Sequence, residues 1–353
     1  MKLLIFPFSE EFIHFTMYPH LLHEFTDVIP IAIKGSGLEG TYSDIFINNL
    51  EQGYVVSSDF ESALRVADAV FFGYQHNVKI DVYTRMIELV LVAKKRIYIE
   101  KDLFQMLPER FSYMDCDMLS FDEIPIVSGD SNKLYRIQIP VIFVASVGET
   151  CDKYLVQLGL KNNLEKNNYK VAQWGTKTYS SLFGINPLPK YLFDLHSARD
   201  KIISFNHHIY NRIAHEKADV AIIGIPGGIM RLNPLSFDDF GEYAFIIGNA
   251  ITADTGVLCF YAIDINEELI DRTCAACLYR LNMKPRYINI ASKSISLSLE
   301  KMKNELHNVP TSHIYDNIIP NVGKYINSSF CGRDYADMKK ATEGIIEMLQ
   351  QNI

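Results

Sequence analysis

Apolar runs and amphipathic stretches alternate along the first part of the chain. KLLIF (2–6), VIPIAI (28–33), ADAVFFGY (67–74) and RIYIEKD (96–102) are short runs rich in β-branched and aromatic residues, a pattern that predicts buried strands. Between them, residues 11–25 carry Phe12, Phe15, Leu21, Leu22 and Phe25 on an irregular helical face. DFESALRVA (59–67) and RMIELVLVAKK (85–95) have helical spacing. Strand–helix–strand alternation predicts a mostly parallel sheet covered by helices.

The rhythm breaks over residues 104–136, where prolines, aspartates and a Gly-Asp-Ser cluster read as the end of a domain and a connector. It restarts with IPVIFVASVG (139–148). A helix over 153–167, the strand YKVAQWG (169–175), a helix through 202–217 and the strand ADVAIIGIPGG (218–228) follow. Residues 176–200 read as irregular. GVLCFYAID (256–264) and PRYINIAS (285–292) are further strands, with helices near 266–282 and 334–351. The expected architecture is α/β: a Rossmann-like domain over 1–130 and a P-loop-like domain over 137–353, both with mostly parallel sheets. Ligands are expected in the cleft between the domains, at strand carboxyl ends.

Composition narrows the function classes. Of 353 residues, 48 % are hydrophobic, which supports packed cores rather than extended disorder. The net charge of −8 and the lack of a basic face argue against a nucleic-acid partner. No apolar run approaches the roughly 18 residues that span a bilayer, and MKLLIFPFSEEF is interrupted too early for a signal peptide. A cytoplasmic protein without membrane partners is expected. Its six irregularly spaced cysteines are then free thiols.

The stretch with the most chemistry is SVGETCDKYL (146–155), where a buried strand turns into a helix and a lysine stands at the junction. A phosphate loop works through glycines that let backbone N–H groups converge on phosphate oxygens, a lysine that reaches the outer phosphates, and a hydroxyl that holds magnesium. Lys153 matches and Gly148 permits the turn. Ser146 and Asp152 stand at the glycine positions, and Tyr154 and Leu155 cannot supply an aliphatic hydroxyl. The strand ending at Ile223 and Gly224 also lacks the acidic residue that would support the metal. The expected result is a retained fold with degenerate chemistry, in which Thr150 or Asp152 caps the helix and Asp152 occupies the anion site from within. Gly227 and Gly228, in GIPGGIM (224–230), are expected to line the pocket.

SVGETCDKYLVQLGLKNNLEKNNYKVAQWGTKT resembles the phosphate loop, first helix and second strand of the dethiobiotin-synthetase-like P-loop proteins. Three stretches, in this order along the chain, resemble a clostridial family of peptide maturation system proteins, which accompany radical SAM enzymes and bacteriocin-like precursors: MKLLIFPFSEEF with KGSGLEGTY, the degenerate loop with QWGTKT, and ADVAIIGIPGGIMRLNP. The resemblance implies an accessory role in peptide natural-product maturation, with a peptide substrate or a maturation enzyme as partner and a homodimer as an admissible assembly. It also implies ATP- or GTP-type binding through Ser146, Gly148, Glu149, Thr150, Lys153, Thr176, Gly227 and Gly228, with magnesium unsupported by the residues present. The competing classes are an ATP-dependent ligase or kinase that activates a carboxylate, and an interaction scaffold that binds no ligand.

Other stretches carry less. KGSGLEGTY (34–42) fits G-x-G-x-x-G through Gly35, Gly37 and Gly40, but it follows the second strand and opens no helix, so it reads as a loop rather than a dinucleotide fingerprint. His196, Arg199 and Asp200 cluster in DLHSARD and are the candidates for acid–base work or for clamping an anionic substrate. His207, His208 and His215 form no metal motif. Cys274-Ala-Ala-Cys277 has no second CxxC, and two ligands do not close a tetrahedral site, so no metal is expected. The single Trp174 reads as a core or interface residue.

Overall fold

The computed structural model describes residues 1–43, 53–127, 133–231, 239–298, 303–324 and 328–351. The chain forms two compact units. One comprises residues 1–121 with 177–187, and the other residues 122–176 with 188–353. The space occupied by the first unit is therefore filled from two separate parts of the chain, where the sequence suggested one connector near residue 130.

The first unit is built on β1 (Lys2–Phe6), β2 (Asp27–Pro30), β3 (Ala69–Phe72), β4 (Arg96–Glu100) and β5 (Asp117–Leu119), in the order β2-β1-β3-β4-β5. Each pairing is parallel. β5 lies within the stretch expected to be a connector; at three residues it is too short to show a period. Residues 11–25 form no continuous helix. They divide into a 3₁₀ turn, α1 (Ile13–Met17) and a second 3₁₀ turn at Pro19–Leu21, because proline favours the first turn of a new element and cannot continue an old one. Helices α2 (Phe60–Val66), α3 (Ile80–Val92) and α4 (Lys101–Met106) complete the alternation. α3 buries Tyr83, Thr84, Ile87 and Val90, the one-sided spacing of a surface helix. A cluster joins this face to Leu4, Phe6, Val70, Phe72 and Ile99. Segment 177–187, which ends in β8 (Asn186–Pro187), belongs here through aromatic packing. Phe183 lies 4.9 Å from Phe15 by ring centroids, and Tyr179 lies 5.4 Å from Phe71.

The second unit contains β6 (Val141–Ser146), α5 (Lys153–Lys166), β7 (Val171–Gly175), α6 (Ala198–Glu216), β9 (Val220–Gly224), α7 (Glu242–Ala250), β10 (Thr255–Phe260), α8 (Glu267–Leu281) and β11 (Tyr287–Ile290). A hairpin of β12 (Lys293–Ser298) and β13 (Lys303–Asn308) follows. Next come α9 (Thr311–His313), a π-helical turn at Ile314–Ile318, α10 (Ile319–Val322), β14 (Ser329–Phe330) and α11 (Tyr335–Gln351). The sheet runs β14-β11-β10-β6-β9-β7, with parallel pairing across β6: Val144 faces Gly224 on β9, and Cys259 on β10 faces Ser146. All six residues of β6 are buried, as expected of a strand covered on both faces. From β6 the chain goes to β7 and β9 on one side and then crosses to β10, β11 and β14 on the other. The carboxyl end of β6 is thus the topological switch point, where open α/β sheets collect ligands.

α5 is buried over most of its circumference, although Lys161, Asn162 and Asn163 are polar. Helix α11 covers it. Asn162 donates to Tyr335 Oη at 3.0 Å, and Lys161 pairs with Glu165 at 2.6 Å. On the opposite part of the unit, fully buried Trp174 donates its indole N–H to His208 Nε2 at 3.1 Å. That bond requires an unprotonated Nε2. Burial, followed by the nearby Arg212 cation, holds the His208 imidazole down to about 4. Between pH 6.5 and about 4 the unfolded chain therefore binds a proton that the folded unit does not, so stability falls as pH falls through this window. The expected loss is up to about 3 kcal/mol. Trp174, the single tryptophan, reports unfolding of this unit by fluorescence. His208→Gln keeps an acceptor for the indole and cannot ionise, so its stability curve should be flatter over the window. Equal slopes for the two proteins would refute the assignment.

Candidate functional site

The site grows from the carboxyl ends of β6 and β9, which are hydrogen-bonded neighbours. Beyond the strands the two chains stay side by side: Ile225 N–H donates to Val144 O at 2.9 Å, and Ile229 N–H donates to Ser146 O at 3.0 Å. Ser146 Oγ donates to the Gly148 carbonyl and, at 3.4 Å, to the Gly227 carbonyl. Both glycine-bearing turns are tightly enclosed. A Cβ on Gly148 would stand 2.6 Å from Tyr261 Oη, and one on Gly228 would stand 2.8 Å from Val147 O. Tyr261 Oη itself donates to the Glu149 carbonyl.

Lys153 opens α5, and its side chain is 4 % exposed. Its ammonium does not face solvent. It donates to the carbonyls of Ile225 at 2.9 Å and Gly227 at 2.7 Å. Glu149 Oε1 lies 3.6 Å from the same nitrogen and accepts the Gly227 N–H at 2.7 Å. The turn is thus closed by its own lysine, its own glutamate and the backbone after β9.

Asp152 departs from the sequence expectation. It does not cap α5, and it does not occupy the turn. Its backbone is left-handed, with φ +57°, and no side-chain cap bond forms. The carboxylate is turned toward the segments that follow β11 and β14, where the Arg333 guanidinium grips it through two bonds of 2.9 Å and Ser292 N–H adds a third of 3.2 Å. Thr150 is not the cap either. It is also left-handed, with φ +59°, and its hydroxyl donates to the Glu149 carbonyl. The internal carboxylate beside the lysine is Glu149. Its spacing of four residues before Lys153 is the only sequence signal for that pairing; Arg333 has none.

Positions 154 and 155 are buried, with Tyr154 4 % and Leu155 3 % exposed. The missing acidic residue at the end of β9 has a steric counterpart: a Cβ on Gly224 would meet the Gln157 amide at 2.5 Å. Gln157 also donates to Thr176 Oγ1 at 3.4 Å. Burial pushes the thiols of Cys151, Cys259 and Cys331 up, the last two to about 12, so they stay protonated and unreactive at neutral pH.

The other candidates do not join this site. His196, Arg199 and Asp200 are exposed at the start of α6, where Ser197 caps the Asp200 N–H and donates to the Asp200 carboxylate at 2.6 Å. This is a helix cap, and Asp200 is part of it. In the first unit, Gly35, Gly37 and Gly40 all have positive φ, and the Glu39 carboxylate accepts the N–H groups of Gly35 and Gly37. Backbone donors, Glu39's own first, hold that carboxyl below its ordinary value. Among the described residues no three His, Cys, Asp or Glu side chains gather as a metal site, and no helix is long and apolar enough to cross a membrane.

No protein-family model and no curated protein sequence matches the chain. Among solved structures, a DUF1611 family protein from Anabaena variabilis superposes with a TM-score of 0.62 at 11 % identity, covering 99 % of both chains. A plasmid partition protein from Borrelia burgdorferi covers 61 % of this chain and all of its own at 16 % identity, with a TM-score of 0.36, too low to carry an argument. The first likeness concerns the fold alone: an α/β chain in two parts with mostly parallel sheets, as expected from the sequence.

Proposed function

We propose that this chain is a cytoplasmic accessory protein of a peptide natural-product maturation pathway, and that its P-loop-like unit does not turn over a nucleotide. The observation that carries the second part is the Lys153 ammonium, bonded at 2.9 and 2.7 Å to the carbonyls of Ile225 and Gly227. A lysine held this way is withdrawn from the outer phosphates it would have to neutralise, and no aliphatic hydroxyl at 154 or 155 replaces the magnesium ligand. The first part is supported by the resemblance of three stretches in a fixed order along the chain.

Incubated with ATP or GTP and magnesium, the protein is expected to release phosphate far below the usual enzyme range of about 1–10³ per second. Its thermal midpoint should not rise as it would by mass action with a nucleotide bound. Turnover within that range, abolished by Lys153→Ala, would establish the competing ligase or kinase reading instead. The pathway is tested in a producing host: loss of the protein should leave the precursor peptide unmodified by mass spectrometry. A mature peptide at undiminished yield removes the assignment.

A further inference from the structure

We propose that the outer edge of β13 is a pairing surface for a second copy of this chain, so that two β12–β13 hairpins join about a two-fold axis at Leu306.

β12 and β13 form a sheet of their own, and among the described residues no other strand pairs with either. A hairpin alone in water is marginally stable; a third strand or a covering helix changes that. The two edges are not equivalent. On the β12 side the Lys293 carbonyl accepts the Ala262 N–H at 2.7 Å, so that edge begins against the segment after β10. Ile295 of the same strand lines a groove with Leu269 and Arg272 of α8. Among the described residues no such backbone bond reaches the outer edge of β13.

The register fixes which groups that edge offers. Val309 N–H donates to Ser292 O at 3.0 Å, just outside the pair Lys293–Asn308, which is therefore a non-hydrogen-bonded pair. Pair types alternate along an antiparallel ladder, so Ile295–Leu306 is of the same type. The backbone N–H and C=O of Leu306 thus point away from β12, as do those of Asn304 and Asn308. Leu306 is 44 % exposed, and His307 and Asn308 are exposed as well. Two common guards of an open edge are missing: the ladder has no bulge, and KNELHN has no proline.

The edge is complementary to itself. Set antiparallel about Leu306, the stretch NELHN meets its own reverse: Leu306 faces the partner's Leu306, Asn304 faces the partner's Asn308, and Glu305 faces the partner's His307. The outward residues of both copies then exchange N–H···O bonds. Glu305 and His307 fall in the non-hydrogen-bonded pairs, where opposing side chains come closest and a carboxylate meets an imidazole. The His307 ring is steadied on that face, with Nε2 2.8 Å from Ser296 Oγ. Each contact off the axis occurs twice, as a two-fold interface requires. A shift of one residue sets Leu306 against Glu305 or His307 and loses the match. A single strand edge is shorter than the contact of a stable interface, which buries roughly 1,200–2,000 Å², so the dimer is weak and concentration-dependent.

Sedimentation of the full-length protein between about 1 µM and 1 mM should show a monomer–dimer equilibrium. Leu306→Pro removes the central outward N–H while leaving the bonds to β12, and should weaken the dimer about tenfold or more. His307→Glu sets carboxylates opposite each other and should weaken it likewise. Adding Glu305→Lys to His307→Glu restores opposite charges and should return the affinity to near that of the wild type. The charge variants decide the case if the proline protein does not fold. A chain that stays monomeric up to about 1 mM overturns the proposal and leaves the edge to an extended segment of another protein. A dimer that Leu306→Pro and His307→Glu leave intact, or one that the charge exchange fails to restore, overturns it as well.

Discussion

The Arg333→Ala protein is expected to lose about 3–5 kcal/mol of stability in the second unit. The Arg333 side chain is 4 % exposed and that of Asp152 is 11 % exposed, so the ion pair is almost dry. Truncating the arginine strips two 2.9 Å bonds from the carboxylate and leaves it with the Ser292 N–H at 3.2 Å. An uncompensated buried charge costs more than the pair contributed, because its desolvation is no longer offset by attraction. The same reasoning predicts a rescue: Arg333→Ala combined with Asp152→Gly should recover part of the loss. That double variant removes the orphaned charge and puts glycine where φ is +57°. Urea unfolding followed by Trp174 fluorescence reads the effect. A loss under about 1 kcal/mol in the single variant, in the range of an exposed pair, would mean that water replaces the guanidinium and that the pair is not a buried clamp.

Phe143→Ala should be similarly severe, at about 3–5 kcal/mol. Phe143 is fully buried at the middle of β6, between Ile223 on β9 and Gly256 on β10. Deleting the ring removes its transfer energy and leaves a cavity. The surrounding parallel strands cannot collapse to fill it without breaking their ladders. Phe143→Leu keeps much of the volume and should cost markedly less. Because β6 leads directly into the turn at 146–153, loss of the strand should also release the Lys153 contacts. If alanine and leucine cost the same, the loss does not scale with the cavity and this account of β6 is wrong.

Legibility in the sequence followed the range of the physics involved. Strand runs and helix spacing are local, so VIFVAS at 141–146, the helix carrying Lys153, AIIG at 221–224 and the helix at 267–281 were all readable from neighbouring residues. So was the degenerate chemistry of the turn, since it depends on which side chains stand at 146, 152, 154 and 155. Short or isolated elements were not readable. β5, the β12–β13 hairpin and β14 are stabilised by partners rather than by their own pattern. Polar Lys161, Asn162 and Asn163 suggest a solvent-facing surface, yet α11 buries them, and nothing near α5 announces that cover.

The composition of the site was settled at still greater separation. Asp152 looks like a helix cap to its neighbours, but its partner Arg333 lies 181 positions away, and leaving that buried guanidinium unpaired would cost more than the roughly 1 kcal/mol of a cap. Lys153 looks like a phosphate ligand, but the Gly227 carbonyl, 74 positions on, holds its ammonium. By itself the sequence determined the α/β class, the strand–turn–helix at 141–166 and the loss of the magnesium-binding groups, because each follows from residue type and local period. Only the tertiary structure decided that Asp152 leaves the turn and Glu149 enters it. Each of those carboxylates goes to whichever buried donor the folded chain brings within reach.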